Sequence, residues 1–565
     1  MGNHESKPEW RPTASKKKPM RKIYDESTYK LNDWGCLERF IYLGSESSYN
    51  ANDKDPNRKN AECIDRLIGA GKGVEVVHNL SDISLCGRTL RQNYLIFALA
   101  ICARSNDEET KKEAYKALNA ICRIPTHFFL FVNYCKQESL QSGSKGCGWG
   151  RAHRRAMIKW YEEKAKHPVC LARLLTKYKS RRMHTTDKKG ETWSHSKILK
   201  KAHPKFEDDF MKVVKQYIFN GFKGAQSFAS NKEMNSESIS KFLTYIDGTE
   251  KAKRCTDEDT LAALIKEYNL EREHIPTQMV KCPMVCKAIM TNMKAGAKVR
   301  NICLMSSRGL CNEGSECEKE IIAVLSNEKA LHDERVHPIR ILIALLSYKN
   351  GEHFKKTESK NGMVNTLKWN VNQNICQALN AAFYQSFITV QSSEKRFLIA
   401  ISCSEDMDKP CNGCPAINCK QAAAAMTMLT IRTEKNCKVV GFSDGLKKII
   451  LNKNDSLEDV TQKISEIKGT ETDVSNPVRW ALEKKKTFDV FIIYSDNIKT
   501  EGNQAIEALT EYQKEMKTPN AKLIVVAMLA TDSIIADERN PFILNIVGFD
   551  KKAALRIQEF ATSEI

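Results

Sequence analysis

No apolar run in this chain approaches the ~20 residues that a membrane-crossing helix needs, so no such helix is expected. The opening stretch "MGNHESKPEWRPTASKKKPMRK" has no signal-peptide apolar core, which predicts a chain kept on the cytosolic side, cytoplasmic with the nucleus as a second compartment. Twenty cysteines in that setting read as reduced thiols rather than a disulfide framework. The motifs of common catalysis are missing as well. There is no phosphate-cradling P-loop, no His-Glu-x-x-His and no paired catalytic carboxylate motif, and a non-enzyme is expected. No sequence block repeats at a fixed period.

What is present is positive charge, unevenly placed. The chain carries 89 Lys+Arg against 69 Asp+Glu. From Phe397 onward the count is 22 against 24, so the remainder holds 67 against 45, or +22. A basic surface confined to the first two thirds attracts polyanions, nucleic acid above all. At 565 residues the chain is also too long for one core and implies two to four domains.

The two parts differ in periodicity. Between about Leu31 and Ser392 apolar residues recur at helical spacing. In "SNDEETKKEAYKALNAICRIPTHFFLFV", Ala114, Ala117, Leu118 and Ile121 form one stripe, with acidic residues in the first turn. Pro125 then breaks the chain and Thr126 is placed to cap the next helix. Short breaks between amphipathic helices imply stacked antiparallel helix pairs. After Arg396, "RFLIAIS", "KVVGFSD", "FDVFIIYSD" and "AKLIVVAML" alternate with helical segments, which predicts a doubly wound, mainly parallel sheet. Ligands of such sheets bind at the carboxyl ends of strands. There the sequence puts Ser402, Ser404 and Asp406, then Thr472 and Asp473, then Asp496, an oxygen set suited to Mg²⁺ or Mn²⁺.

The carboxyl third resembles a von Willebrand factor A domain, whose adhesion-type metal site uses D-x-S-x-S, a Thr and an Asp. The resemblance implies a divalent cation at Ser402, Ser404, Asp406, Thr472 and Asp496. Ser402 stands in place of the leading Asp and Asp406 in place of the second Ser, so the site is degenerate, and losing an orienting carboxylate weakens affinity about 10–100-fold. A rival reading of the same loop is zinc, held by Cys403, Cys411, Cys414 and Cys419 around a central C-x₂-C. Cys311 and Cys317 in "CNEGSEC" invite the same thought.

Upstream, "NAECIDRLIGAGKGVEVVHNL", "LIFALAIC", "ICRIPTHFFLF", "CGWGRAHRRAMIKWY", "LTKYKSR", "HPIRILIALLSY" and "ALNAAFY" are similar to the TROVE module of the Ro ribonucleoprotein family. The resemblance implies a ring of HEAT-like helical repeats followed by the von Willebrand domain. Its implied role is a noncatalytic scaffold that binds small noncoding Y RNAs and the 3′ ends of misfolded RNAs. The expected layout is a basic tail over 1–28 without fixed structure, a helical RNA-binding module over 29–395 and the α/β domain over 396–565, in a monomer. A protein-interaction module acting through the α/β domain is the alternative.

The basic patch is "LTKYKSRRMHTTDKKGETWSHSKILKKAHPKF". Y RNA contacts carry over from the family to Lys177, Arg181 and His203. Lys179 and Arg182 lie beside them, and Ser194 is placed to cap a helix on which Lys197, Lys200 and Lys201 share a face. Between Arg182 and Trp193 the chain carries residues beyond the family pattern. A second cluster, "CGWGRAHRR", offers Trp149, Arg151, Arg154 and Arg155, an aromatic among cations for stacking on unpaired bases. A solvated basic face is the plain alternative for both. "MGNHES" also fits a myristoylation pattern at Gly2, followed by a basic cluster that equally suits nuclear import or RNA contact.

Overall fold

The computed structural model describes residues 32–562, apart from 45–55, 87–91, 143–147, 183–191, 235, 335, 356–364, 391, 413, 443–444, 468, 470–472, 497–502, 530–539, 541 and 550–552. Gly2, the basic tail and Thr472 lie outside the described residues.

Helices fill the chain from Asp33 to Gln385. Each starts for a local reason. The Glu108–Ile121 helix begins at Asp107, whose carboxylate accepts the Thr110 N–H at 2.8 Å, and it buries Ala114, Leu118 and Ile121 while Ala117 stays half-buried. The next helix, Pro125–Gln141, corrects the expected cap: extended Ile124 is its N-cap, Pro125 takes the first turn, and Thr126 lies inside the helix rather than at its cap position. Packing runs between alternate helices at first. Gln92–Arg104 lies on Pro125–Gln141 and Gly73–Cys86 on Glu108–Ile121, while the consecutive helices Pro338–Lys349 and Gln373–Gln385 pack on each other, the pattern of stacked helix pairs. One apolar core runs from Leu37 to Ile289.

The carboxyl-terminal sheet has six strands in the order Ile543–Val547, Lys522–Ala527, Val490–Ser495, Arg396–Ser402, Asn436–Phe442, Leu446–Lys448. All neighbours are parallel except the last pair. Val490–Ser495 and Lys522–Ala527 are buried along their whole length, as strands covered by helices on both faces must be. The chain leaves Arg396–Ser402 toward Asn436–Phe442 on one side and returns to Val490–Ser495 on the other. The crevice between those strand ends is the topological switch point, and it holds Ser402 and Asp496. A second apolar core runs from Met290 through the last helices onto one face of this sheet, and a third covers the other face.

Three hairpins interrupt the expected pattern: Ser180–Arg182 with Thr192–Ser194, Glu352–Lys355 with Asn365–Lys368, and Pro410–Cys411 with Cys414–Asn418.

Candidate nucleic-acid interface

The basic helix His195–Ala202 is built from its cap upward. Extended Ser194 accepts the Lys197 N–H on its hydroxyl at 3.3 Å, as its position in the sequence predicts. Its inner face buries His195, Ile198, Leu199 and Ala202, which turns Lys200 and Lys201 to the surface with Lys197 half-buried. His203 ends the helix in the left-handed conformation (φ 51°, ψ 55°), donating its N–H to the Leu199 carbonyl, and its side chain is exposed.

Two indoles fix what lies next to this helix. Trp193, fully buried, donates its Nε1–H to Asn133 at 3.2 Å, and its ring lies 6.2 Å from that of Trp149. Lys197 Nζ stands 4.7 Å from the Trp193 ring and Lys201 Nζ 5.7 Å from the Trp149 ring. The helix Arg151–Ala165 packs against His195–Ala202, with Arg151, Arg154 and Arg155 exposed on its first turns. Two clusters more than 40 residues apart in sequence are thus neighbours (Arg151 to Lys197). Arg181 and Arg182 sit in the hairpin strand, paired in register with Trp193 and Thr192 at the start of the same helix.

Lys179 is exposed, but Lys177 is not a free cation. Its ammonium hydrogen bonds Glu271 and lies 3.3 Å from Glu273, with the side chain 16% exposed. Burial would lower its pKa, but the Glu271 hydrogen bond and the two carboxylates outweigh that and hold it above the ordinary lysine value. Sequence reading missed this acidic pair, whose nearer member, Glu271, lies 94 residues away. It missed His195 too. Tyr161 donates to His195 Nδ1 at 2.8 Å, so Nε2 carries the hydrogen and donates to the Tyr178 carbonyl at 3.0 Å. Burial pushes the His195 pKa down to about 4.

At the sheet's switch point, Ser402 and Asp496 are both buried and come together, Ser402 Oγ to Asp496 Oδ1 at 3.4 Å. Ser402 Oγ also accepts the Ser404 N–H at 3.3 Å, while Ser404 Oγ accepts the Asp406 N–H at 3.1 Å as a helical cap. Asp406 turns its carboxylate to Lys409 at 2.7 Å. Among the described residues a divalent ion is left one buried carboxylate and two hydroxyls already engaged, Ser402 by Asp496 and the Ser404 N–H and Ser404 by the Asp406 N–H, a donor set that fits Mg²⁺ poorly. Nor do the four cysteines gather. Cys411 and Cys419 approach to 3.8 Å, whereas Cys403 turns its thiol to the Ile401 carbonyl at 3.6 Å. The contact with Cys419 and burial push the Cys411 thiol well above its ordinary pKa. Cys311 and Cys317, 3.0 Å apart, form a buried two-thiol contact. Among the described residues no three His, Cys, Asp or Glu side chains come together as a metal-holding group, so the rival zinc reading finds no ligand set there. Nor, among them, is any helix long and apolar enough to cross a membrane.

Comparison with known proteins places these features. Residues 24–361 match the TROVE domain and residues 396–561 the Ro60 vWA domain. A Caenorhabditis elegans protein named RNA-binding protein RO60 is 30% identical over 95% of this chain and 89% of its own length. A Deinococcus radiodurans protein of the same name is 27% identical over 95% of this chain and 94% of its own. The crystal structure of the Deinococcus radiodurans RO (RSR) protein superposes with a TM-score of 0.76 at 27% identity, over 94% of this chain and 100% of that one.

Proposed function

The chain belongs to the family of TROVE-domain Ro proteins, and from that premise we propose that it is a noncatalytic RNA-binding scaffold, taking a Y-like small noncoding RNA and the 3′ ends of misfolded RNAs. The observation that carries this reading is the His195–Ala202 helix. It presents Lys200 and Lys201 to solvent beside Trp149 and the exposed Arg151 and Arg154, within the part of the chain that holds all the excess positive charge. Cations at the surface neutralise phosphates without reading bases, so binding is dominated by counterion release. The half-buried indole beside them offers a stacking face to an unpaired base.

The test is an electrophoretic titration with a structured small RNA bearing a free 3′ tail, repeated across salt concentrations. Six or more phosphate contacts would cost about 10³-fold or more in affinity between 50 and 200 mM salt. Lys200→Ala with Lys201→Ala is expected to weaken binding about tenfold and to flatten that slope by about two contacts. An unchanged slope would reduce the helix to a solvated face.

For the switch-point site we propose that the Ser402–Asp496 hydrogen bond keeps the loop in shape without a resident divalent ion. Millimolar Mg²⁺ or Mn²⁺ is then expected to leave the melting temperature unchanged, whereas Ser402→Asp, which restores a second carboxylate, gains a Mg²⁺-dependent rise. A rise in the unaltered protein would sink the idea and would favour the alternative, a metal-dependent protein-interaction module.

A further inference from the structure

The helix Asp209–Asn231 is broken in the middle. Gly221 stands at φ 70° and ψ −169°, far from helical values. A Cβ placed there would meet nothing within 4 Å, so no neighbouring atom demands the glycine, and the backbone angle alone does. Gly221 borders a cleft of about 1,080 Å³, just above the range usual for small-molecule sites, which also reaches the start of the basic helix at Ser194, His195 and Ser196.

The lining has two kinds of surface. Tyr217 and Phe222 flank the break and supply aromatic wall. Tyr217 is only 9% exposed and lines the cleft, and its hydroxyl makes no hydrogen bond to another described residue. The rim is ionic and unbalanced. Lys251 is held by Asp247 at 2.7 Å and Arg254 lies 3.8 Å from Glu250, which satisfies both carboxylates within the protein. Lys179 and Lys223, both exposed at the same cleft, belong to no ion pair among the described residues. An aromatic wall, a hydroxyl at the cleft and two exposed cations outside any close ion pair match a planar heterocycle attached to a phosphate.

We propose that this cleft receives a single unpaired nucleotide, its base against Tyr217 and Phe222 and its phosphate at Lys179 and Lys223. The inference rests on the RNA-binding reading for its source, since the cleft opens at the start of the basic helix and a strand lying there can turn one nucleotide into it. A free mononucleotide has the same chemistry, and the experiment separates the two.

The full-length protein is photo-cross-linked to a stem RNA with one bulged 4-thiouridine, to the same stem fully paired around an internal 4-thiouridine, and to 8-azido-AMP, with mapping by mass spectrometry and parallel gel shifts. The expected result is labelling within residues 217–226 by the bulged RNA. The exposed-site variants Lys179→Glu and Lys223→Glu should lower affinity for the bulged RNA about tenfold relative to the paired one, the scale of one stacked base and its phosphate. Labelling there by 8-azido-AMP without any RNA shift would keep the cleft as a nucleotide site and discard its RNA source. If RNA shifts but labels elsewhere, and both variants cost bulged and paired RNA equally, the cleft is overturned while the RNA reading stands. Failure of every probe to bind overturns both.

Discussion

At Lys177 a single residue reverses the simple reading of the patch. A lysine beside Lys179 and Arg181 looks like one more phosphate contact, but its ammonium is engaged by Glu271 and Glu273. The pair therefore subtracts from the local field that RNA would meet. Glu271→Gln removes one carboxylate and loosens Lys177 toward solvent. It is expected to tighten RNA binding about two- to fivefold at low salt, the worth of one partly exposed ion pair, with the gain fading at high salt. A filter-binding titration at two salt concentrations checks it, and weaker binding would mean that Glu271 positions Lys177 for RNA instead. Ser194 was legible in the sequence because a cap is decided within four residues of chain. Glu271 was not, because only tertiary packing brings it to Lys177. The degeneracy of the metal loop was legible as a lost leading carboxylate, but the turn of Asp406 to Lys409 was not.

Between elements, His195 is the joint that ties the basic helix to its surroundings. Its ring bridges Tyr161 on the Arg151–Ala165 helix and the Tyr178 carbonyl at the end of Pro168–Lys177, so three helices meet on one imidazole. That geometry needs the neutral ring. The folded state holds its pKa at about 4, below the ordinary 6.5, through burial. Below about pH 6.5 the unfolded chain takes up a proton that the folded chain refuses. The stabilisation is therefore complete above that pH and erodes as pH falls toward 4, at about 1.4 kcal/mol per pH unit. His274 and His337, likewise lowered to about 4 chiefly by burial, act in the same sense. Melting temperature should fall steeply between pH 6.5 and 4.5, and His195→Asn should start lower and fall less steeply; parallel slopes would remove His195 from the account. Helices and central strands were readable from periodicity because their apolar faces repeat over several turns. The three hairpins and the strand Ile543–Val547 were not, since runs of two to five residues carry too little pattern to distinguish from loop.

For the whole molecule, the sequence divides near Arg396 but the packing does not. Helices after Met290 share one apolar core with the sheet and its Cys419–Thr433 helix, whereas the core from Leu37 to Ile289 is separate. The seam is specific. Arg432 lies 4.9 Å from both the Tyr384 and Phe387 rings, Tyr384 accepts the Leu457 N–H at 3.0 Å, and buried Glu434 accepts the N–H groups of Ser393 and Glu394 at 2.7 and 3.1 Å. A charge change at Arg396 marks where composition shifts, and shared burial is a property of pairs of elements that composition does not contain. Cutting the chain after residue 395 would bare Phe383, Phe387 and their neighbours, each worth about 1.5–3 kcal/mol of burial. A few such losses match the 5–15 kcal/mol that holds a typical domain. The 1–395 fragment is thus expected to keep the first core folded, and with it the basic helix and RNA affinity, while residues 290–395 bind a hydrophobic dye and are cut rapidly by protease. Protection through residue 395 equal to that of the full chain would show that the helical module closes its own core and that the seam adds contact without stability.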